Sequence, residues 1–275
     1  MNIKILVTLG PSSLNKKTVE DLSSKGVYLF RINLSHTNLN DLDNLIKKVQ
    51  SWTDTPICLD SEGAQVRNQN MVSDTVQFEK GSYVKIHHEK IIGDSENISF
   101  TPETVFRQLN VGDVIRVDFD AVRFKVISKE VKYLIAVVEH SGFVGCNKAA
   151  DISRTLKLNA VTNKDKSAFK IGLQNGIRDF SLSFTNKLAD VLEIRKIIGS
   201  KSNLISKIES VNGILNLGEI LPAVDQILID RGDLSREISI ENIPGCQKYI
   251  INTGRKNNKK VYVATNLLES MINSV

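Results

Sequence analysis

Short runs of apolar residues recur along the chain, separated by segments whose apolar positions repeat at helical spacing. Residues 3–8 (IKILVT), 27–32 (VYLFRI) and 56–60 (PICLD) read as strands. Between them, Lys16–Lys25 places Val19 and Leu22 on one helical face, and Leu39–Val49 gives a second helix. Continuous apolar strands alternating with helices are the pattern of a parallel sheet covered on both faces.

From about Asn68 to Leu156 the rhythm changes. YVKIHH, DVIRVDFD, VRFKVIS and KYLIAVVEH follow one another with turn residues between them, which reads as an inserted all-β block. One short helix is expected there, TPETVF (101–106), with Thr101 as its cap and Pro102 in the first position.

The alternation resumes at Asn163. A helix over 164–174 leads to the strand DFSLSF (179–184). KLADVLEIRKIIG then sets Leu188, Val191, Leu192 and Arg195 at helical spacing, with Gly199 as the stop. NLISKI (203–208), a short helix near Val211–Leu217, QILID (226–230), a helix from about Gly245 to Lys256 and KVYVAT (260–265) follow, and NLLESMI opens a further helix. Three parallel-type strands before the insert and four after it predict an α/β fold. The expected form is a TIM (β/α)8-type barrel, incomplete by one strand, with a small all-β domain inserted after strand three. The expected domains are residues 1–67 with 157–275, and 68–156. An open doubly wound sheet is the alternative on pattern alone, but the glycine fingerprints of dinucleotide and P-loop sites are missing from the sequence.

Composition narrows the function classes. Of 275 residues 41% are hydrophobic and 24% charged, an ordinary globular balance. The net charge of +5 is spread along the chain, and aromatics make up only 6%. That favours small anionic ligands and gives no expectation of nucleic-acid binding. No run is long enough to span a membrane, and the apolar start is too short for a signal peptide. Cys58, Cys146 and Cys246 are far apart, odd in number and without zinc spacing, so a reducing cytoplasm is expected.

In βα barrels chemistry gathers where strands end. The polar residues at those ends are Arg31, Asn33, Ser35 and His36, then Asp60, Ser61 and Arg67. Ser183, Lys207, Glu209, Arg231, Gly232, Asp233 and Thr265 complete the set. Carboxylates suit a hard cation such as Mg²⁺, and the basic groups suit phosphate. Phosphoryl transfer needs positioning and charge neutralisation more than covalent chemistry. Glu209 would then meet a metal and Lys207 a phosphoryl group. Taken singly, each feature has a plainer reading. Lys207 and Glu209 could be a solvated ion pair, Arg31–His36 a polar loop with a helix cap, and Asp60–Ser61 turn chemistry. Their recurrence at successive strand ends favours chemistry.

At these positions the chain resembles the pyruvate kinase family. KILVTLGPSS (4–13) is similar to its opening strand and loop, and VYLFRINLSHT (27–37) to its Arg-x-Asn-x-Ser-His segment. ICLDSEGAQVR (57–67) is similar to LDTKGPEIR, and LISKIES (204–210) to IAKIEN. ILIDRGDLSREI (227–238) is similar to VARGDLGVEI, and VYVATNLLESMI (261–272) to ATQMLESM. The resemblance runs through nearly the whole chain. It implies phosphoryl transfer from phosphoenolpyruvate to a nucleoside diphosphate, giving pyruvate. Lys207, Arg31 and Thr265 would be catalytic, and Glu209 and Asp233 would bind Mg²⁺ (or Mn²⁺). Lys207, Gly232, Asp233, Thr265 and Ser183 would hold the acid. Arg31, His36, Arg67 and Lys164 would contact the nucleotide, and Asn33, Ser35, Asp60 and Ser61 would form a K⁺ site.

The chain departs from the family pattern at several points. Gln65 stands where the family has a glutamate, Glu62 where it has a lysine, and Asp230 where it has an alanine. Asn266 replaces a glutamine, and Ser235 and Arg236 replace a glycine and an apolar residue. The family's eighth strand and C-terminal domain have no counterpart in the sequence, so a homo-oligomer covering the open barrel edge is expected. Two alternatives accompany the kinase reading: a metal-dependent lyase or aldolase that handles the enolate of pyruvate, and a degenerate, non-catalytic paralogue.

Overall fold

The computed structural model describes residues 3–63, 65–154 and 156–265. The helix expected from Asn266 onward lies outside the described residues. The chain divides into two compact units, with boundaries after residues 64 and 158.

The first unit is built on seven parallel strands. They are β1 (Leu6–Thr8), β2 (Leu29–Asn33), β3 (Ile57–Asp60), β4 (Asp179–Leu182), β5 (Asn203–Ile208), β6 (Gln226–Asp230) and β7 (Lys260–Ala264). They pair in chain order, β1 to β7, with every neighbour parallel. When each crossover advances the sheet by one strand with the same hand, the crossover segments gather on one face. On that face Phe30, Leu59, Phe180, Leu204 and Ile227 share a core with Ile46, Phe169 and Ile194 of the helices. The other face carries a small separate cluster of Leu29, Cys58, Ile205 and Leu228. Side chains on a strand alternate with a period of two. Two residues beyond each member of that cluster, on the same face, stand Arg31, Asp60, Lys207 and Asp230. This face is therefore layered, apolar toward the N-terminal ends of the strands and charged toward their C-terminal ends.

The helix Asn163–Gln174 shows how closely helix and sheet fit. A Cβ on Gly172 would fall 2.5 Å from Leu59 Cδ1, so a larger residue would force the buried Leu59 side chain to shift. The helix opens with a capping box in which the Thr162 side chain and Asp165 satisfy each other's backbone N–H groups. Asp165, fully buried, also accepts from Glu62 N at 2.7 Å and Gly63 N at 3.3 Å. One carboxylate thus ties the loop after β3 to the start of the helix that precedes β4.

The second unit contains a closed barrel. Its strands, in order around it, are Tyr133–His140, Tyr83–His87, Asn97–Thr101, Val66–Asn68, Ala149–Ile152, Val114–Val117 and Val122–Lys129. A two-stranded sheet of Gly142–Gly145 and Thr75–Phe78 lies beside them in the chain, and Phe78 meets Phe124 edge-on at 5.1 Å. Arg67 belongs to this unit through the strand Val66–Asn68.

Several elements differ from expectation. The helix in the second unit starts at Thr104, because Thr101 is the last residue of a strand and pairs with Arg67. A residue held in a ladder is not available as a cap. The strand expected over 179–184 stops at Leu182, and Phe184 adopts a left-handed backbone with φ of +50°. The single helix near Val211–Leu217 is two short ones, Val211–Leu215 and Leu217–Ile220. Among the described residues no helix is long and apolar enough to cross a membrane.

Replacing Asp165 by alanine strands the donors of Thr162, Glu62 and Gly63, and should destabilise the first unit by ~2–3 kcal/mol. Trp52, the sole tryptophan, packs against that unit's core, so its fluorescence during urea unfolding reports the change.

Candidate functional site

Lys207 is the centre of the charged layer. It sits on β5 with 4% of its surface exposed, facing away from the helices. Its Nζ lies 2.7 Å from Glu209 Oε1, 3.4 Å from Asp60 Oδ2 and 3.9 Å from Asp230 Oδ2, and it donates to Ser183 Oγ at 3.1 Å. Burial opposes the charge on Lys207, but Asp60 and Glu209 outweigh it and hold the ammonium above its ordinary range.

Asp60, fully buried at the end of β3, is saturated by the protein. Its Oδ2 receives Nε of Arg31 at 2.7 Å, as well as the Arg31 Nη2 group and Lys207. Its Oδ1 receives the hydroxyl of Ser181, and Ser183 Oγ lies 3.4 Å from it. Burial pushes this carboxyl up, yet Arg31 and Lys207 prevail and keep it below the usual carboxylate range. Arg31, one strand away on β2, also donates to Thr8 Oγ1 on β1 at 3.0 Å. The layer therefore runs continuously from β1 to β6.

Ser61 and Ser183 lock the ends of β3 and β4 together. Ser183 N donates to Ser61 Oγ, and Ser183 Oγ donates to the Ser61 carbonyl, both at 2.8 Å. The chain can pass here only because residue 63 is glycine. Its φ is +74°, and a Cβ would lie 2.8 Å from Ser183 Cβ. Beyond Ser183, the left-handed turn at Phe184 aims its N–H at Glu209 Oε2, 2.7 Å away. A non-glycine residue in that conformation is costly and persists where surrounding contacts over-determine it.

Glu209 is 1% exposed. Its Oε1 sits close to Lys207 Nζ but accepts no aligned hydrogen bond among the described residues. Burial raises its pKa to about 7, opposed by Lys207 and reinforced by the nearby charges of Asp233 and Asp230. One oxygen each of Glu209, Asp230 and Asp233 lie within 4.8 Å of one another, a spacing that suits a cation. Asp230 ends β6, and the helical turn Arg231–Leu234 carries Gly232 and Asp233. Asp233 pairs with Arg236 at 3.2 Å. Thr265 follows β7 with φ of +64°. Its Oγ1 accepts from Gly232 N at 2.8 Å and donates to Asp230 Oδ1 at 3.0 Å, while Arg231 Nη2 reaches its carbonyl at 2.6 Å.

The remaining predicted residues fall around this centre in different ways. Asn33 and Asp60 are register partners at the ends of β2 and β3. The Asn33 side chain accepts from Ser35 N at 3.0 Å, capping the turn Leu34–His36, in which Ser35 is buried and His36 exposed. Lys164 donates to the Leu34 carbonyl at 2.6 Å and lies 3.9 Å from Glu62 Oε2, bridging the loops after β2 and β3. Arg67 donates to the Asn147 carbonyl at 2.8 Å within the second unit. Three partners escaped the strand-end reading: Ser181, Thr8 and the Phe184 N–H. Ser181 lies on β4 two residues before Ser183, which follows the strand, so the period of two is its available signal.

Fold and site together define an α/β protein with a nest of buried carboxylates and cations at the C-terminal ends of parallel strands. The chain belongs to the pyruvate kinase family: it matches "Pyruvate kinase, barrel domain" over residues 1–275. It is 32% identical to the pyruvate kinase of Clostridium acetobutylicum, covering 98% of this chain and 59% of that protein. It is 31% identical to that of Staphylococcus saprophyticus (98% and 48%) and 30% identical to that of Thermotoga maritima (98% and 60%). The chain thus spans about half of the length of these curated relatives.

The pKa of Glu209 is raised above its ordinary 4.5 to about 7, so the folded protein holds a proton there that the unfolded chain has released. The resulting stabilisation is full below 4.5 and is lost as pH rises through about 7. Thermal melts without divalent cations should show wild type losing stability relative to Glu209→Gln across that window. A constant difference from pH 4 to 8 would contradict this coupling.

Proposed function

We propose that the chain carries the phosphoryl-transfer site of a pyruvate kinase, moving the phosphoryl group of phosphoenolpyruvate to a nucleoside diphosphate in the cytoplasm. The observation that carries the reading is the convergence of Lys207, Glu209 and Asp233 with Arg31 on one strand-end layer. The supporting scaffold is a TIM (β/α)8-type barrel. Its strand order supports that reading, because helices on one face leave the other to be covered by sheet closure. Among the described residues β1 and β7 are each paired on one side only. We assign the cover of that edge to a second copy or to chain beyond the described residues.

Glu209 and Asp233 would hold Mg²⁺, and their fit rests on the spacing of their oxygens and the unaligned Oε1 of Glu209. The bound ion supplies charge neutralisation at the phosphoryl oxygens. Lys207, locked in its charged form, opposes the negative charge that develops as the enolate leaves, and does so from a fixed position. Arg31, oriented by Asp60, adds a second fixed positive charge. Gly232 N and Thr265 Oγ1 are assigned to the acid's carboxylate, and Thr265 also to the carbon that takes up a proton. Lys164 and His36 flank the side assigned to the nucleotide. The K⁺ assignment to Asn33, Ser35, Asp60 and Ser61 competes with the protein donors that already engage Asp60.

Pyruvate formation from phosphoenolpyruvate and a nucleoside diphosphate in Mg²⁺, followed by a coupled assay, tests the reading. Lys207→Met should lower the rate at least about a hundredfold, the scale of losing one transition-state charge partner. Absence of pyruvate with every nucleoside diphosphate would refute the assignment. The enolate-handling lyase or aldolase is the second reading, favoured by Asp230 beside Lys207. It requires nucleotide-independent proton exchange at the pyruvate methyl group, visible by NMR in deuterated water.

A further inference from the structure

The nest around Lys207 holds one carboxylate more than the pair assigned to the cation. Asp230 is 7% exposed and lies two residues beyond Leu228 on the face of β6 turned from the helices. Its Oδ1 is engaged by Thr265 Oγ1 at 3.0 Å and, more weakly, by Asp233 N at 3.5 Å. Its Oδ2 points toward Lys207 Nζ, 3.9 Å away.

Charge balance makes this residue informative. Arg31 and Lys207 face three buried carboxylates, Asp60, Glu209 and Asp230, while Asp233 is matched by Arg236. With all three carboxylates ionised, the described residues leave this buried group one positive charge short, a deficit that a proton on Glu209 or a bound cation can meet, since burying an uncompensated charge is costly. The same three residues Glu209, Asp230 and Asp233 offer one oxygen each within 4.8 Å of one another, and Glu209 Oε1, buried 2.7 Å from Lys207 Nζ, has no aligned hydrogen-bond donor among the described residues.

We propose that Asp230 is a third carboxylate for the divalent cation assigned to Glu209 and Asp233, so that the site takes up the cation before any anionic substrate arrives. The inference rests on the cation site proposed above. Mg²⁺ held by one or two carboxylates usually relies on substrate oxygens to complete its site. A third carboxylate removes that dependence. It also sets a negative charge beside Lys207 that opposes an incoming anionic acid until the cation is in place. Binding is therefore ordered, cation first and acid second.

The test is Mn²⁺ binding to the full chain without substrate, read from the free-ion signal in electron paramagnetic resonance. Wild type, Asp230→Ala, Asp230→Asn and Glu209→Gln are compared, with thermal melts of each. Wild type should bind one Mn²⁺, and both Asp230 variants should bind at least about tenfold more weakly, since affinity follows the number of charged ligands. Asp230→Asn keeps the size of the side chain and an acceptor for Thr265, so it separates loss of charge from loss of fold. If the Asp230 variants match wild type while Glu209→Gln weakens binding, the cation site stands and the role given to Asp230 is overturned. If wild type binds no Mn²⁺, or Glu209→Gln changes nothing, the cation site itself fails and the inference falls with it.

Discussion

The structure of the first unit turns on one buried ammonium. Lys207 is surrounded by carboxylates from three strand ends, and none of these groups could be buried without the others. Removing a partner from such a cluster leaves a charge in a poorly solvated place, which costs more than the pairing itself supplies. The arrangement therefore does not exist for stability. It maintains strong fields at fixed positions, the condition under which a protein can stabilise charge as it develops in a reaction.

The backbone around Lys207 reflects the same priority. Phe184 and Thr265 both occupy the left-handed region, and both use it to direct a polar group at an acidic residue: the Phe184 N–H at Glu209, the Thr265 hydroxyl at Asp230. Gly63 lets two strand ends approach to the distance at which Ser61 and Ser183 interlock. Within the first unit, Phe184 and Thr265 are two of the three described non-glycine residues with positive φ, the third being Asn258.

Much of this was legible in the sequence, for identifiable reasons. Most of the parallel strands are legible as short apolar runs, such as LFRIN, ICLD and QILID, whereas β4 (DFSL) alternates polar and apolar residues. Lys207 and Glu209 stood out because a charged pair at the end of such a run must meet something. Ser181 is silent in the sequence because a serine inside a strand costs little and signals nothing without its partner across the sheet. Asp230 departs from the family pattern, but its nearness to Lys207 depends on strand pairing that no local pattern encodes. The Thr101 cap failed for the opposite reason: a favourable local signal lost to a ladder formed with a distant strand.

The layering of the face turned from the helices has a consequence for how the strands find one another. In most sheets, a slip of one residue turns every side chain over and is rejected, whereas a slip of two restores the in-and-out pattern. Here a slip of two on β5 or β6 in one direction would drive Lys207 or Asp230 down into the apolar tier, and in the other would lift Ile205 or Leu228 into the ionic tier. The charges thus act as graduations on a ruler, and the chain that assembles its reactive groups correctly has, by the same act, measured its own alignment.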